Sequence, residues 1–243
     1  APRAATSVLD LVSVRVGSLE LGGLFDQALE PVPQSNAERA ARLIELFQLA
    51  GCPKDQITRS QVMSSRKKNL FCTLPGQGDR TIVVGAHYDH SRSGIGLSDN
   101  WSGLAMLPLL YRALAKEPRA HSFVFAGFGA AAQDQIGSET YLRRMQPFRR
   151  GQIAAMVNLK GLGLGSTAVW SSRADPDLHL DLVSVSHALG LELRQVDLSR
   201  RPERKLQDDL SPWPIHADAN SFRRHRIPSI VIHSYDRESA RLL

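Results

Sequence analysis

The stretch "GAHYDHSRSGIGLSDNWSG", residues 85–103, holds the residue types most able to do chemistry. His87 and Asp89 stand at the end of an apolar run, and Asp99 falls just before a helical pattern. Glycines at 94, 96 and 103 allow close turns between them. An imidazole and carboxylates converging at strand ends can hold a metal, with Asp89 orienting the His87 ring from behind. The same types near turns also serve as caps and surface groups. A second stretch, "FAGFGAAAQDQIGSETYL" at 125–142, has the opposite character. Ala130, Ala131 and Ala132 fill the C-terminal end of a strand, where open α/β sheets carry their reactive groups.

The elements that position these residues alternate along the chain. "NAERAARLIELFQLAG" (36–51) reads as an amphipathic helix with Asn36 as N-cap, Leu43, Ile44 and Phe47 at helical spacing, and Gly51 as the stop. "KKNLFCTLPG" gives a strand and "PGQGDR" a turn, and "TIVVGAHYD" has the continuous apolar pattern of a central strand. A helix over 100–118 carries Pro108, which should kink it or mark a turn. Strand "SFVFAGF", a helix near 137–145 and strand "IAAMVNL" (153–159) follow. Then come "STAVWSS", the helical "PDLHLDLVSVSHALG", a strand near "LELRQVDL", a polar loop over 199–220 and a last strand, "IPSIVIHS". Such alternation predicts an α/β fold of three layers, α/β/α, around a mostly parallel central sheet.

At 243 residues, 42% hydrophobic and 22% charged, the chain can bury one substantial core. A single domain over 1–243 is expected, with 1–34 an N-terminal extension packing on it. No apolar run reaches the roughly 18–20 residues that span a bilayer. The start "APRAATSVLD" lacks an apolar signal core but suits a chain from which one was removed, so a secreted or periplasmic location is expected. Cys52 and Cys72 are too few for a disulfide framework or a cysteine zinc site, and could be one disulfide or two free thiols. The net charge of +6 comes from scattered basic runs, including "RKK" at 66–68, without a nucleic-acid motif. These runs read as solvated surface, and no nucleic-acid partner is expected.

Together, "GAHYDH...DNWSG" and "FGAAAQ..IGS" resemble the zinc-dependent aminopeptidase family of bacterial leucyl aminopeptidases, glutamate carboxypeptidase-like enzymes and glutaminyl cyclases, metallopeptidase family twenty-eight. The resemblance runs from about residue 35 to the C-terminus and implies a zinc-exopeptidase-like fold. In that family a His-x-Asp, an Asp-Asn-x-Ser-Gly, a Glu-Glu pair, a later Asp and a final His assemble a two-zinc site. By that resemblance His87 is the first ligand, Asp89 its orienting partner and Asp99 the bridging carboxylate. The general base falls on Ala131, and the remaining ligand positions fall on Ala132, Lys160 and Ala219. Asp218, Phe222, Ile227 and Pro228 keep the family's frame around the last of these.

Two of the five ligand positions thus survive, His87 and Asp99, and the base is gone. Catalytic zinc ordinarily takes three protein ligands and a water, and that water needs a proton acceptor. No metal cofactor is therefore expected, and the chain reads as an inactive pseudo-peptidase with a binding or scaffold role. Its pocket would comprise His87, Asp99, Lys160, Asp218 and His216 and would take a small anionic or peptide ligand. Lys160 is expected to replace the metal by pairing with Asp99, with His87 or a water taking a remaining donor. The alternative is an active metal-dependent peptidase whose site is rearranged through Asp134, Glu139, His216, Asp218 or His225. Ser98 and Ser102 lack an evident base for metal-free hydrolysis, and His233 reads as a hydrogen-bonded structural group.

Overall fold

The computed structural model describes residues 23–90, 94–171, 176–191, 193–196 and 217–235. Helix α1 (Leu24–Leu29) precedes α2 (Asn36–Leu49), and a 3-10 turn (Lys54–Gln56) leads into β1 (Ile57–Gln61), β2 (Lys68–Leu74) and β3 (Thr81–His87). A π-type turn (Leu97–Trp101) runs into α3 (Ser102–Ala115), followed by β4 (Ser122–Phe128), α4 (Ile136–Arg144), α5 (Pro147–Gly151) and β5 (Ile153–Leu159). The chain continues through β6 (Ala168–Ser171), α6 (Pro176–Ala188), β7 (Arg194–Val196), α7 (Ala219–Arg224) and β8 (Ser229–His233).

Among the described residues the strands form one eight-stranded sheet in the order β1-β2-β4-β3-β5-β8-β6-β7. Its centre, β4-β3-β5-β8, is parallel. On the flanks, β1 with β2, β2 with β4, and β6 with β8 are antiparallel, while β6 and β7 are parallel. β3 shows why its sequence is apolar throughout. Val84 and Ala86 enter the core under α2 and α3, whereas Val83 enters the opposite core under α4 and α7. A strand covered on both faces has no solvent side to carry polar residues. The first core is built on Leu43, Phe47, Trp101, Leu104 and Phe125, the second on Phe128, Leu142, Met156 and Phe222. The expected three-layer α/β arrangement with a parallel centre is observed.

Two expectations are corrected in detail. The N-cap of α2 is Ser35, not Asn36: Glu38 N donates to Ser35 Oγ at 3.1 Å while Ser35 N donates to Glu38 Oε2 at 2.8 Å, a reciprocal capping box. Asn36 is freed for another task, its Oδ1 accepting His90 N at 3.2 Å. Pro108 neither ends nor begins a helix, since α3 continues through it with the ring buried.

Of the segment 1–34, residues 23–34 are described. There α1 buries Leu24 and Ala28, and Trp101 Nε1 donates to Ala28 O at 2.9 Å. The two cysteines are joined: Cys52, after α2, is disulfide-bonded to Cys72 of β2. No helix among the described residues is long and apolar enough to cross a membrane.

Candidate functional site

The C-terminal ends of the parallel strands converge on His87, the last residue of β3 and 6% exposed. Its Nδ1 lies 2.9 Å from the main-chain oxygen of Asp89. A carbonyl only accepts, so Nδ1 carries the proton in this bond and Nε2 faces the cleft. There Nε2 meets Asp99 Oδ1 at 3.1 Å and Lys160 Nζ at 3.2 Å. Lys160, immediately after β5, places Nζ 2.7 Å from the same Asp99 oxygen. The Lys160–Asp99 ion pair expected from the sequence is therefore formed, with His87 as its third member.

Asp99 is carried by the turn before α3, and neighbouring backbone fixes that turn. Asn100 Nδ2 donates to Leu159 O at 2.9 Å, and Gly161 N donates to Asn100 Oδ1 at 3.0 Å, so one amide stitches the turn to the end of β5. Gly103 is needed for this approach, because a Cβ there would sit 2.6 Å from both Asn100 Oδ1 and Leu159 O. Gly161 has φ +61° and lies under the Tyr235 ring, which any side chain would strike. Asn158 does similar work on the other side, donating to Gly85 O at 3.0 Å and accepting Ala219 N at 3.1 Å.

Charge is concentrated in this cleft. Burial alone would raise the Asp99 carboxyl, but the hydrogen bond and charge of His87 and the Lys160 ammonium hold it well below the usual carboxylate range. Burial and Lys160 oppose the His87 imidazolium while Asp99 favours it, with Asp218 adding to Asp99, and the net direction is upward. Burial and the Asp99 charge together raise the Tyr235 phenol.

Asp89 departs from its expected role. Its carboxylate does not hold the His87 ring. Oδ2 pairs with Lys67 Nζ at 2.9 Å and Oδ1 accepts Ala131 N at 3.0 Å, leaving only the main-chain oxygen for His87. The cause is the turn after β4, where Ala130 takes a left-handed φ of 61° and points the next N–H at the buried carboxylate. Ala131 is buried beside Asp89, whereas Ala132 is exposed. Ala219 is buried at the start of α7.

Asp218 is buried at 1% exposure, and neither carboxylate oxygen makes a well-formed hydrogen bond to a described residue. The adjacent Ser138 hydroxyl is engaged with Gln135 O and Ser221 Oγ, each at 3.0 Å. Burial raises the Asp218 carboxyl, partly offset by His87, Ser138 and Lys160. His216 lies outside the described residues. Glu139 and His225 pair with each other at 3.1 Å, and Asp134 is exposed in the turn before α4. Ser102 donates to Ser98 O and accepts Leu162 N, both at 3.0 Å, which ties both serines into the backbone. His233 Nδ1 accepts Tyr235 N at 3.1 Å.

Lys67, Asn100 and Asn158 escape a reading of the sequence. Their distant partners, such as Asp89 for Lys67, 22 residues away, and Gly85 for Asn158, 73 residues away, are brought near by the packing of strands. The Asn directly after Asp99 was the one available signal, since a buried Asn at a strand end commonly bonds backbone.

A mixed sheet with a parallel centre and helices on both faces is an architecture shared with aminopeptidases of known structure. The fold matches that of LapA aminopeptidase of Legionella pneumophila, with a TM-score of 0.68 and 15% identity over 88% of this chain and 60% of that one. It also matches a zinc aminopeptidase of Bacillus subtilis, with a TM-score of 0.60 and 18% identity over 72% of this chain and 41% of the other. The chain belongs to peptidase family M28, whose model matches residues 69–240. Its curated relatives include an aminopeptidase of Pseudomonas aeruginosa, 32% identical over 91 residues that make up 37% of this chain and 17% of the relative. A probable lipoprotein aminopeptidase of Mycobacterium tuberculosis is 26% identical over 191 residues, covering 75% of this chain and 38% of the relative. The chain thus spans well under half the length of these relatives.

Among the described residues, those at the strand ends do not fit the zinc of the structurally similar aminopeptidase. Among the described residues no group of three or more His, Cys, Asp and Glu side chains is placed to hold a metal. The two donors that do converge, His87 Nε2 and Asp99 Oδ1, already share the Lys160 ammonium. A dication would have to displace that ammonium and then find a third ligand.

Proposed function

We propose that this M28 domain is a metal-free pseudo-peptidase that binds a small anionic or peptide ligand in its former catalytic cleft. The observation that carries this reading is the Lys160 ammonium, 2.7 Å from Asp99 and 3.2 Å from His87. It supplies the positive charge that Asp99 needs, at the place where the relatives' chemistry calls for cations. Ala131 leaves no carboxylate at the general-base position, so hydrolysis would lack an acceptor for the water proton.

The ammonium also sets ligand preference. One of its three N–H donors goes to Asp99, which leaves donors for a ligand carboxylate, and its charge repels a free amino terminus. Acetylated amino acids with a free carboxylate should bind more tightly than the matched amino acid amides. The Cys52–Cys72 disulfide is consistent with an oxidising, secreted or periplasmic setting.

The test combines metal analysis with turnover, on protein purified without chelator. The expected result is no tightly bound zinc and no chelator-sensitive hydrolysis of aminoacyl nitroanilides, even with added zinc or cobalt. About one or two metals per chain with chelator-sensitive turnover would instead establish an active peptidase with a rearranged site.

A further inference from the structure

A cavity of about 340 Å³ lies between α2 and the β1–β2 edge of the sheet, lined on one side by Ala40, Ala41 and Ile44 of the helix. Its other wall is basic, formed by Arg59, Arg66, Lys67 and Lys68, and no acidic side chain lines it. Lys67 is committed to Asp89 at 2.9 Å. Among the described residues no ion pair compensates Arg59, Arg66 or Lys68.

We propose that this cavity is a binding site for a small amphipathic anion, a carboxylate head on an apolar chain, separate from the former catalytic cleft. The volume is at the low end of the ~300–1,000 Å³ typical of small-molecule sites. Three uncompensated cations at one wall focus positive potential into it, which selects a negative head group. The alanines and Ile44 opposite offer surface that gains only from apolar contact, which selects an apolar body. Their helical spacing, 40, 41 and 44, places them on one α2 face, which borders the cavity while Ala40 and Ile44 also pack on the edge of the core. The "RKK" run expected to be plain solvated surface is, in three dimensions, half of a concave two-character site. The Lys67–Asp89 pair links this wall to the cleft, because the other Asp89 oxygen holds Ala131 N.

The experiment is calorimetric titration of the full chain with decanoate below its micelle concentration, with decyltrimethylammonium as the control of opposite charge. Saturable one-to-one decanoate binding is expected, weakened at least tenfold in the Arg66→Gln, Lys68→Gln double variant and abolished by Ala41→Trp, which fills the cavity. Arg66 and Lys68 are exposed, so the charge variant should fold even if the filled one does not. Equal binding of the cationic control, decanoate binding unchanged in the charge variant, or association only with anionic vesicles would overturn the site. Decanoate binding lost in Lys160→Met would place the ligand in the cleft and overturn it as well. Survival of binding there keeps this site distinct from the cleft reading, whichever way that reading falls.

Discussion

Lys160 makes a strong claim on a single contact. Asp99 keeps an ionised carboxylate in a cleft where burial disfavours it, and Lys160 supplies the compensating charge. Removing one partner of a fully buried pair costs about 3–5 kcal/mol. The Asp99 side chain is 35% exposed, so solvent screens the pair and about 1–3 kcal/mol is the better expectation for Lys160→Met. Adding Asp99→Asn should recover most of that loss in urea unfolding, and strict additivity of the two changes would show that they do not interact. Asp218 should behave in the opposite sense. Its raised carboxyl pKa means that the folded state holds a proton that the unfolded state releases above roughly pH 3.9, so stability falls as pH rises through that window. Asp218→Asn should therefore stabilise the protein at pH 7, with the gain vanishing near pH 3.5, as read from thermal midpoints at both pH values. His87, Asp99 and Lys160 were legible because their motifs are local. Asp89 was misjudged because its carboxylate is claimed by Lys67 and by the Ala131 amide, neither of which a local motif reveals.

At the level of elements, what could be read was what repeats. β3, β4 and β5 are apolar runs long enough to identify, and α2 and α3 each span 14 residues. Helices of five or six residues, α1, α5 and α7, complete too few turns to show a period. β1 is an edge strand whose "ITRSQ" is mostly exposed, which leaves little hydrophobic signal. Two links, one through Arg39 and one through a disulfide, join elements without any periodic pattern in the sequence. Arg39, fully buried in α2, donates to Pro33 O at 3.1 Å, to Gly96 O at 3.1 Å and to Ile95 O, and its guanidinium lies 5.7 Å from the Trp101 ring centre. Arg39→Met strands those carbonyls and should cost about 2–4 kcal/mol by urea unfolding. A loss below 1 kcal/mol would mean that the loop before Asp99 holds itself. The Cys52–Cys72 disulfide closes a separation of 20 residues, for which chain entropy gives about 3 kcal/mol. Cys52→Ser with Cys72→Ser should lower the urea midpoint accordingly, and an unchanged midpoint would mean that the surrounding core already fixes these strands.

The chain keeps the fold of the M28 family, and under the proposed reading its reactive positions have changed. Asn100, Asn158 and Gly103 hold the strand ends together through backbone contacts. A preserved frame should accept the missing ligands again. Ala131→Glu, Ala132→Glu, Lys160→Asp and Ala219→His made together should restore zinc binding, seen as a zinc-dependent rise in thermal midpoint. A folded fourfold variant indifferent to zinc would mean that these four positions are not the ones left vacant. That the fold could be read from the sequence, and with it the meeting of His87, Asp99 and Lys160, follows from pattern: alternation fixes the layers, and residues at strand ends fall together whatever their chemistry.

The most direct test is a zinc-edge anomalous difference map from crystals of the unaltered chain grown in excess zinc. The expected map has no anomalous peak between His87 and Asp99 and shows Lys160 Nζ in hydrogen-bonding contact with Asp99 Oδ1. An anomalous peak ligated by His87 and Asp99, with Lys160 turned away, would contradict the replacement of metal by lysine.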